Sequence, residues 1–248
     1  MSVKNMKILV TGASSGIGAH VAEFLANAGA QVVVAARRLE ALEVLAEKCG
    51  ERTSAVRMDV ADPDNVAEAV AEAARRMDGL DGLFNNAGTA WGGRTHEMPL
   101  DEWDRVIDVN VNGVFRAAKA AGEIMLKGRA GGSILNTASI LGFGTGQGVA
   151  AYSASKAAVI HMTRSLAQEW APFRVRVNAI APGYFPTEMT APFLTTEKGQ
   201  ALKKDVPMRR FGELEELEGP VELLLGSRGT FITGVTLPVD GGHLCKSL

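Results

Sequence analysis

Two short stretches of this 248-residue sequence hold side chains whose types and spacing could move a hydride and a proton. The first, Thr11-Gly12-Ala13-Ser14-Ser15-Gly16-Ile17-Gly18, directly follows the apolar run Ile8-Leu9-Val10. Glycines between a strand and a helix let backbone approach a phosphate closely, and the helix N-terminus offers unpaired N–H groups with a favourable dipole. Gly12, Gly16 and Gly18, with Ile17 and the hydroxyls of Ser14 and Ser15, are therefore candidate contacts to a dinucleotide pyrophosphate. The first glycine gap is wider than in the dehydrogenase fingerprint Gly-x-Gly-x-x-Gly. The second stretch, Tyr152-Ser153-Ala154-Ser155-Lys156, lies downstream of Ser139. Residues four apart share a helix face, so Lys156 can lie beneath Tyr152. A free phenol titrates near ~10, and a buried ammonium beside a positive nicotinamide ring would pull that value toward neutrality. Ser139 could hydrogen-bond a substrate oxygen and fix a carbonyl for hydride attack. Taken singly, a Tyr–Lys pair on a helix surface and a turn serine would mean nothing.

The elements that must position these residues follow from hydrophobic patterning. Strands are expected over 7–11, 31–36, 54–58, 82–85, 133–137, 175–179 and 236–239. Helices are expected over 16–28, 39–48, 64–77, 101–127, 151–170 and 213–225, with Asp62 capping the third and Pro63 in its first turn. Runs such as Val32-Val33-Val34 are continuous rather than alternating, as in parallel sheets covered on both faces. The strand–helix alternation predicts an α/β fold, a single doubly wound, Rossmann-type parallel sheet of about seven strands, with ligand at the strands' carboxyl ends. No linker or repeat divides the chain, so residues 1–248 read as one catalytic domain. One segment breaks the rhythm: residues 184–212, with Pro186, Pro192 and Pro207, are expected to form a lid over the cleft.

Selectivity at the adenosine end is read where the second strand stops. An enzyme using NAD places an acid there for the ribose hydroxyls. This sequence has Arg37 and Arg38, and a guanidinium can hold a 2′-phosphate through charge-assisted bonds. NADP is the expected cofactor and NAD the less favoured one. Asp59, at the end of the third strand, could accept from the adenine amino group with Val60 lining the ring, or could simply cap the next turn.

A net charge of −2 provides no field for nucleic acid, and no run approaches the ~18 apolar residues of a membrane span. The N-terminal residues lack the apolar stretch and cleavage site of a signal peptide. Cys49 and Cys245 stand in no metal-ligand spacing and read as free thiols in a reducing compartment, so a cytoplasmic protein is expected. His96 and His161 have no sequence partner for a metal. The rival to an oxidoreductase is a dinucleotide-binding redox sensor or scaffold without turnover, which a broken Ser–Tyr–Lys set would favour.

With Asp59-Val60, Asn85-Asn86-Ala87-Gly88, Asp108-Val109-Asn110-Val111-Asn112-Gly113 and Arg176-Val177-Asn178-Ala179-Ile180-Ala181-Pro182-Gly183 added to these motifs, the sequence resembles the short-chain dehydrogenase/reductase family over nearly its whole length. Within it, the likeness is to 3-oxoacyl-thioester reductases and related NADP-dependent carbonyl reductases. The resemblance implies that Tyr152 is general acid in reduction and base in oxidation. It implies that Lys156 also binds the nicotinamide ribose, and that Tyr152 too touches the cofactor. Asn110 is implied to hold a relay water, with Asn112 its immediate competitor. Asn86, Ala87 and Gly88 are implied beside the adenine-side ribose, and Pro182, Gly183, Phe185 and Thr187 at the nicotinamide carboxamide. Phe185 replaces the family's small aliphatic, which leaves the backbone contact expected there but could narrow the pocket. Members commonly form homotetramers through the two long helices and the C-terminal strand region. A small carbonyl or alcohol substrate is expected to touch 91–96, 141–148 and 184–204, through Trp91, Leu141, Phe143, Tyr184, Met189 and Phe193.

Overall fold

Ile8-Leu9-Val10 lacks polar alternation because both of its faces are covered. In the computed structural model of the protein, which describes residues 2–128 and 130–245, this run forms β1 (Lys7–Thr11). Leu9 enters one core with Val33, Leu83 and Ile134, while Ile8 and Val10 enter the other with Val32, Val34, Phe84 and Leu135. Each such fully buried aliphatic side chain contributes about 1.5–3 kcal/mol.

The remaining strands are β2 (Gln31–Ala36), β3 (Thr53–Arg57), β4 (Gly82–Asn85), β5 (Gly132–Thr137), β6 (Val175–Pro182) and β7 (Thr236–Val239). They form one sheet in the order β3-β2-β1-β4-β5-β6-β7 with every neighbouring pair parallel. In chain order the helices are α1 (Gly16–Asn27), α2 (Leu39–Cys49), α3 (Pro63–Met77), α4 (Leu100–Ile107), α5 (Gly113–Gly128), α6 (Ala150–Trp170), α7 (Ala191–Leu194), α8 (Glu197–Ala201) and α9 (Glu218–Leu225). Apolar faces of α1, α2 and α9 fill the core of Ile8; those of α3, α5 and α6 fill the core of Leu9. Strand order reverses between β1 and β4, and a cleft opens there at the carboxyl ends. The Asp62 carboxylate accepts from the N–H groups of Asp64 and Asn65, with Pro63 opening α3.

Two expectations are corrected. The continuous helix over 101–127 is interrupted, because Asp108–Asn112 widens into a π turn between α4 and α5. Such a turn re-aims a side chain inward; here it buries Asn110 completely. The helix over 213–225 starts as a 3-10 turn, Leu214–Leu217, closed by a reciprocal Glu213–Glu216 cap. Within the segment 184–212, Thr187, Glu188 and Met189 line the cleft wall. Tyr184, Phe185, Val206, Met208 and Gly212 instead surround a second cavity of about 350 Å³ against the end of β7.

Candidate active site

A cleft of about 500 Å³ runs across the β1/β4 switch point. Its floor is the loop after β1. Gly12 and Gly16 both have positive φ (65° and 56°), and a Cβ on Gly12 would lie 2.7 Å from Ala87 Cα. Only glycine fits a backbone bent this way and pressed so close. The loop feeds α1, whose N-cap Ser15 makes no side-chain capping bond, leaving the helix end open to an anion. Ser14, Ser15, Gly16 and Ile17 line the cleft, so the cradle fits a dinucleotide pyrophosphate. Gly18 serves packing: a Cβ there would meet the Gly12 carbonyl oxygen at 2.3 Å and Asn86 Nδ2 at 2.6 Å.

Thr11 joins this loop to the turn after β4. Its hydroxyl accepts from the N–H groups of Asn86 (3.0 Å) and Ala87 (3.1 Å) and donates to Asn85 Oδ1 (3.3 Å). Asn86 Nδ2 donates back to the carbonyls of Thr11 and Gly12. Asn86, Ala87 and Gly88 are thus held in the cleft wall.

At the inner end, Tyr152 and Lys156 project from the first turns of α6 and both line the cleft. Lys156 Nζ lies 5.5 Å from the Tyr152 ring centroid and donates to the Thr137 carbonyl at 2.7 Å. Burial lowers the Lys156 pKa to about 8. Burial also pushes the Tyr152 phenol up, while the nearby Ser139 hydroxyl pulls it the other way. The ammonium thus lies where helical spacing predicts, beside the Tyr152 ring. Ser139 is 7% exposed and accepts from Leu141 N–H at 3.2 Å. Asn110 accepts from Thr89 N–H and donates to the Thr89 carbonyl, both at 2.8 Å, and donates to Ser155 Oγ at 3.0 Å. Ser155 in turn donates to the Tyr152 carbonyl at 2.7 Å. Asn110 therefore ties the cofactor-side loop to the helix turn that carries Tyr152. Its competitor Asn112 is exposed and donates to Asp108.

At the outer end, Arg37 and Arg38 are exposed and line the cleft with Asp59 and Val60. Asp59 faces the cleft and also accepts from Ala61 N–H at 3.0 Å, so it caps the turn as well. Of the stretch expected at the nicotinamide, Thr187 lines the cleft. Pro182 pairs with Val239 and Gly183 abuts Asp240, on the β7 side. Phe185 is 4% exposed and turned into the core against Gly212, so its ring does not narrow the cleft. The Tyr184 ring likewise packs on Phe211 and His243 rather than facing the cleft. The 91–96 and 141–148 loops meet through Gly93 N–H and the Gly148 carbonyl, 3.0 Å apart. His96 and His161 are exposed.

Three residues escaped the sequence reading. Arg105 lines the cleft and donates to Thr89 Oγ1 and the Ala90 carbonyl, yet its spacing from Glu102 reads as a solvated helix pair. Arg116 donates to the carbonyls of Val60 and Ala61 and pairs with Asp108 at 2.9 Å, fastening the adenosine wall to the π turn. Its partners are backbone oxygens, which no motif records. Glu188 reaches the adenosine end from a distant part of the chain, 3.6 Å from Arg38.

Residues 12–243 match the profile of a family described as enoyl-(acyl carrier protein) reductase. The chain is 36% identical over 248 residues to 2-dehydro-3-deoxy-D-gluconate 5-dehydrogenase of Bacillus subtilis, covering 99% of this chain and 97% of that one. A crystal structure of a short-chain type dehydrogenase/reductase from Mycobacterium marinum superposes with a TM-score of 0.94 at 38% identity, covering 99% and 98%. The active-site complex of Pseudomonas aeruginosa RhlG with NADP superposes with a TM-score of 0.91 at 32% identity, covering 98% and 97%. By profile, sequence and fold together, the chain belongs to the short-chain dehydrogenase/reductase family of oxidoreductases.

Proposed function

We propose that this protein interconverts a ketone and a secondary alcohol with NADP(H), Tyr152 serving as general acid in reduction and base in oxidation. One observation carries the reading: the glycine cradle, the Arg37–Arg38 pair and the Tyr152–Lys156 pair all line a single cleft. When bound, the nicotinamide supplies or accepts the hydride. The chain's own residues bind, orient and move the proton. Ser139 and Tyr152 hold the carbonyl oxygen, and the Tyr152 hydroxyl gives it a proton during reduction. Because burial raises the phenol pKa, that proton is in place at neutral pH. Lys156, fixed by Thr137, holds the nicotinamide-side ribose and restores the phenol's proton. Asn110 Oδ1 and Lys156 Nζ both flank Gly88, an arrangement that supports a water relay between them.

Arg37 and Arg38 favour NADP because two guanidinium groups at the end of β2 suit a 2′-phosphate and offer no carboxylate to ribose hydroxyls. The bound NADP of the Pseudomonas relative supports this choice. Asn86, Ala87 and Gly88 would flank the adenine-side ribose, and Thr187 the carboxamide. The assembly we propose is a homotetramer, supported by half-exposed Trp103 and Phe115 on α4 and α5 and by exposed Ala150, Ala154 and Ala157 on α6. Light scattering at the mass of four chains checks it. The unpaired Cys49 and Cys245 suit a cytoplasmic setting, and among the described residues no helix is long and apolar enough to cross a membrane.

Tyr152→Phe tests the chemistry. Turnover should fall by about 10²–10⁴ while the NADPH dissociation constant stays within about twofold. A variant turning over at the wild-type rate would remove Tyr152 from the reaction.

A further inference from the structure

We propose that Glu188, on the first turn of the 184–212 segment, is a specificity-determining residue: its carboxylate competes with a 2′-phosphate for Arg38. The inference rests on reading Arg37 and Arg38 as the 2′-phosphate site. Arg38 is not a free cation waiting in solvent. Its Nε and Nη2 donate to Ser14 Oγ at 3.3 and 3.1 Å, and Nη2 also donates to the Ser14 carbonyl at 3.4 Å. The guanidinium is thereby laid along the phosphate loop, with little choice of direction. The same Nη2 faces Glu188 Oε2 at 3.6 Å.

Glu188 is held there by its neighbours. Thr187 N–H donates to Thr190 Oγ1 at 2.9 Å and Ala191 N–H to the Thr187 carbonyl at 2.8 Å, closing a turn just after Phe185, whose ring is anchored in the core. Thr187 itself presses on the loop, 3.3 Å from where a Gly16 Cβ would be. The acid is thus delivered to the adenosine end by packing, while its own side chain, 70% exposed, keeps room to move.

The two cofactor forms meet this arrangement differently. A 2′-hydroxyl is uncharged and leaves the Arg38–Glu188 pair intact. A 2′-phosphate carries negative charge to the same guanidinium, so it must displace the carboxylate or bind beside it under repulsion. Glu188 therefore weakens NADP binding selectively. The pair is exposed, so the effect is moderate and shrinks with added salt.

Binding of NADPH and NADH, followed by nicotinamide fluorescence without substrate, tests this in wild type, Glu188→Gln, Arg37→Ala, Arg38→Ala and the Glu188→Gln/Arg38→Ala double variant. Glu188→Gln should lower the NADPH dissociation constant by about threefold to fivefold and leave NADH within about twofold. In the Arg38→Ala background the same change should have less than about a twofold effect on NADPH. Weaker NADPH binding by Glu188→Gln, or an equal shift for both cofactors, would overturn the proposal by showing that the acid holds the lid or the ribose. If Arg38→Ala and Arg37→Ala both leave the NADPH-to-NADH ratio unchanged, the 2′-phosphate site itself lies elsewhere and the proposal falls with it. If Arg38→Ala changes the ratio but Glu188→Gln does not, competition alone is refuted and the phosphate site stands.

Discussion

Lys156 is 3% exposed and donates its ammonium to a backbone carbonyl, whereas Arg37 and Arg38 at the other end of the same cleft are exposed, Arg38 with partners that are themselves at the surface. Around Lys156 the groups are buried and mutually bonded: Asn110 to Thr89 and Ser155, Ser155 to the Tyr152 carbonyl. Around Arg38 the partners are a serine and an exposed carboxylate. A buried, satisfied network fixes geometry and is costly to disturb. An exposed ion pair is worth little and is easily retuned. Under the proposed function, chemistry belongs to the buried, bonded end and cofactor choice to the end that can be changed one charge at a time.

Substitutions at the two ends should therefore differ in kind as well as size. The largest effect is expected at Lys156. Lys156→Met removes the ammonium beneath Tyr152, and turnover should drop by about 10²-fold or more with NADPH still bound. A loss confined to cofactor affinity would make Lys156 a ribose ligand alone. Next, Gly12→Ala forces a Cβ against Ala87 at positive φ, so both nucleotides should bind about tenfold to a hundredfold more weakly, in step. Unequal losses would detach the glycine loop from the shared pyrophosphate. Arg37→Ala should then weaken NADPH by about tenfold and NADH by less than about twofold, as loss of a charge-assisted contact to one phosphate demands.

A further effect is one of stability. Burial lowers the Lys156 pKa from 10.5 to about 8, so between these values the unfolded chain binds more protons than the folded one. Stability contributed at this position rises with pH across that window and is lost as pH falls toward about 8. Relative to Lys156→Met, the wild type should gain at most about 3 kcal/mol from pH 8 to 10.5, measured by urea unfolding. A flat difference would mean that the lysine reaches solvent in the folded protein.

What the sequence disclosed follows the same division. Strands were legible to within a few residues because burial on both faces leaves unbroken apolar runs such as Val32-Val33-Val34. That Tyr152 and Lys156 share a helix face was legible from their spacing, although the spacing by itself carried no role. The π turn was not: it places Asn110 on Thr89 and Ser155, contacts between segments that no local pattern joins. Phe185 misled for a related reason, since a residue beside the cleft in sequence turns its ring toward Gly212. Glu188 and Arg116 act on groups far along the chain, one on a side chain and the other on backbone carbonyls.

The most direct test of the central claim is initial-rate turnover with NADPH and NADH in parallel, against ketones, sugar acids and acyl thioesters. NADPH should be oxidised with one substrate class, with NADH the poorer donor. Equal or faster turnover with NADH across the panel would contradict the role given to Arg37 and Arg38. No turnover with any substrate, while NADPH still binds tightly, would contradict the catalytic reading itself.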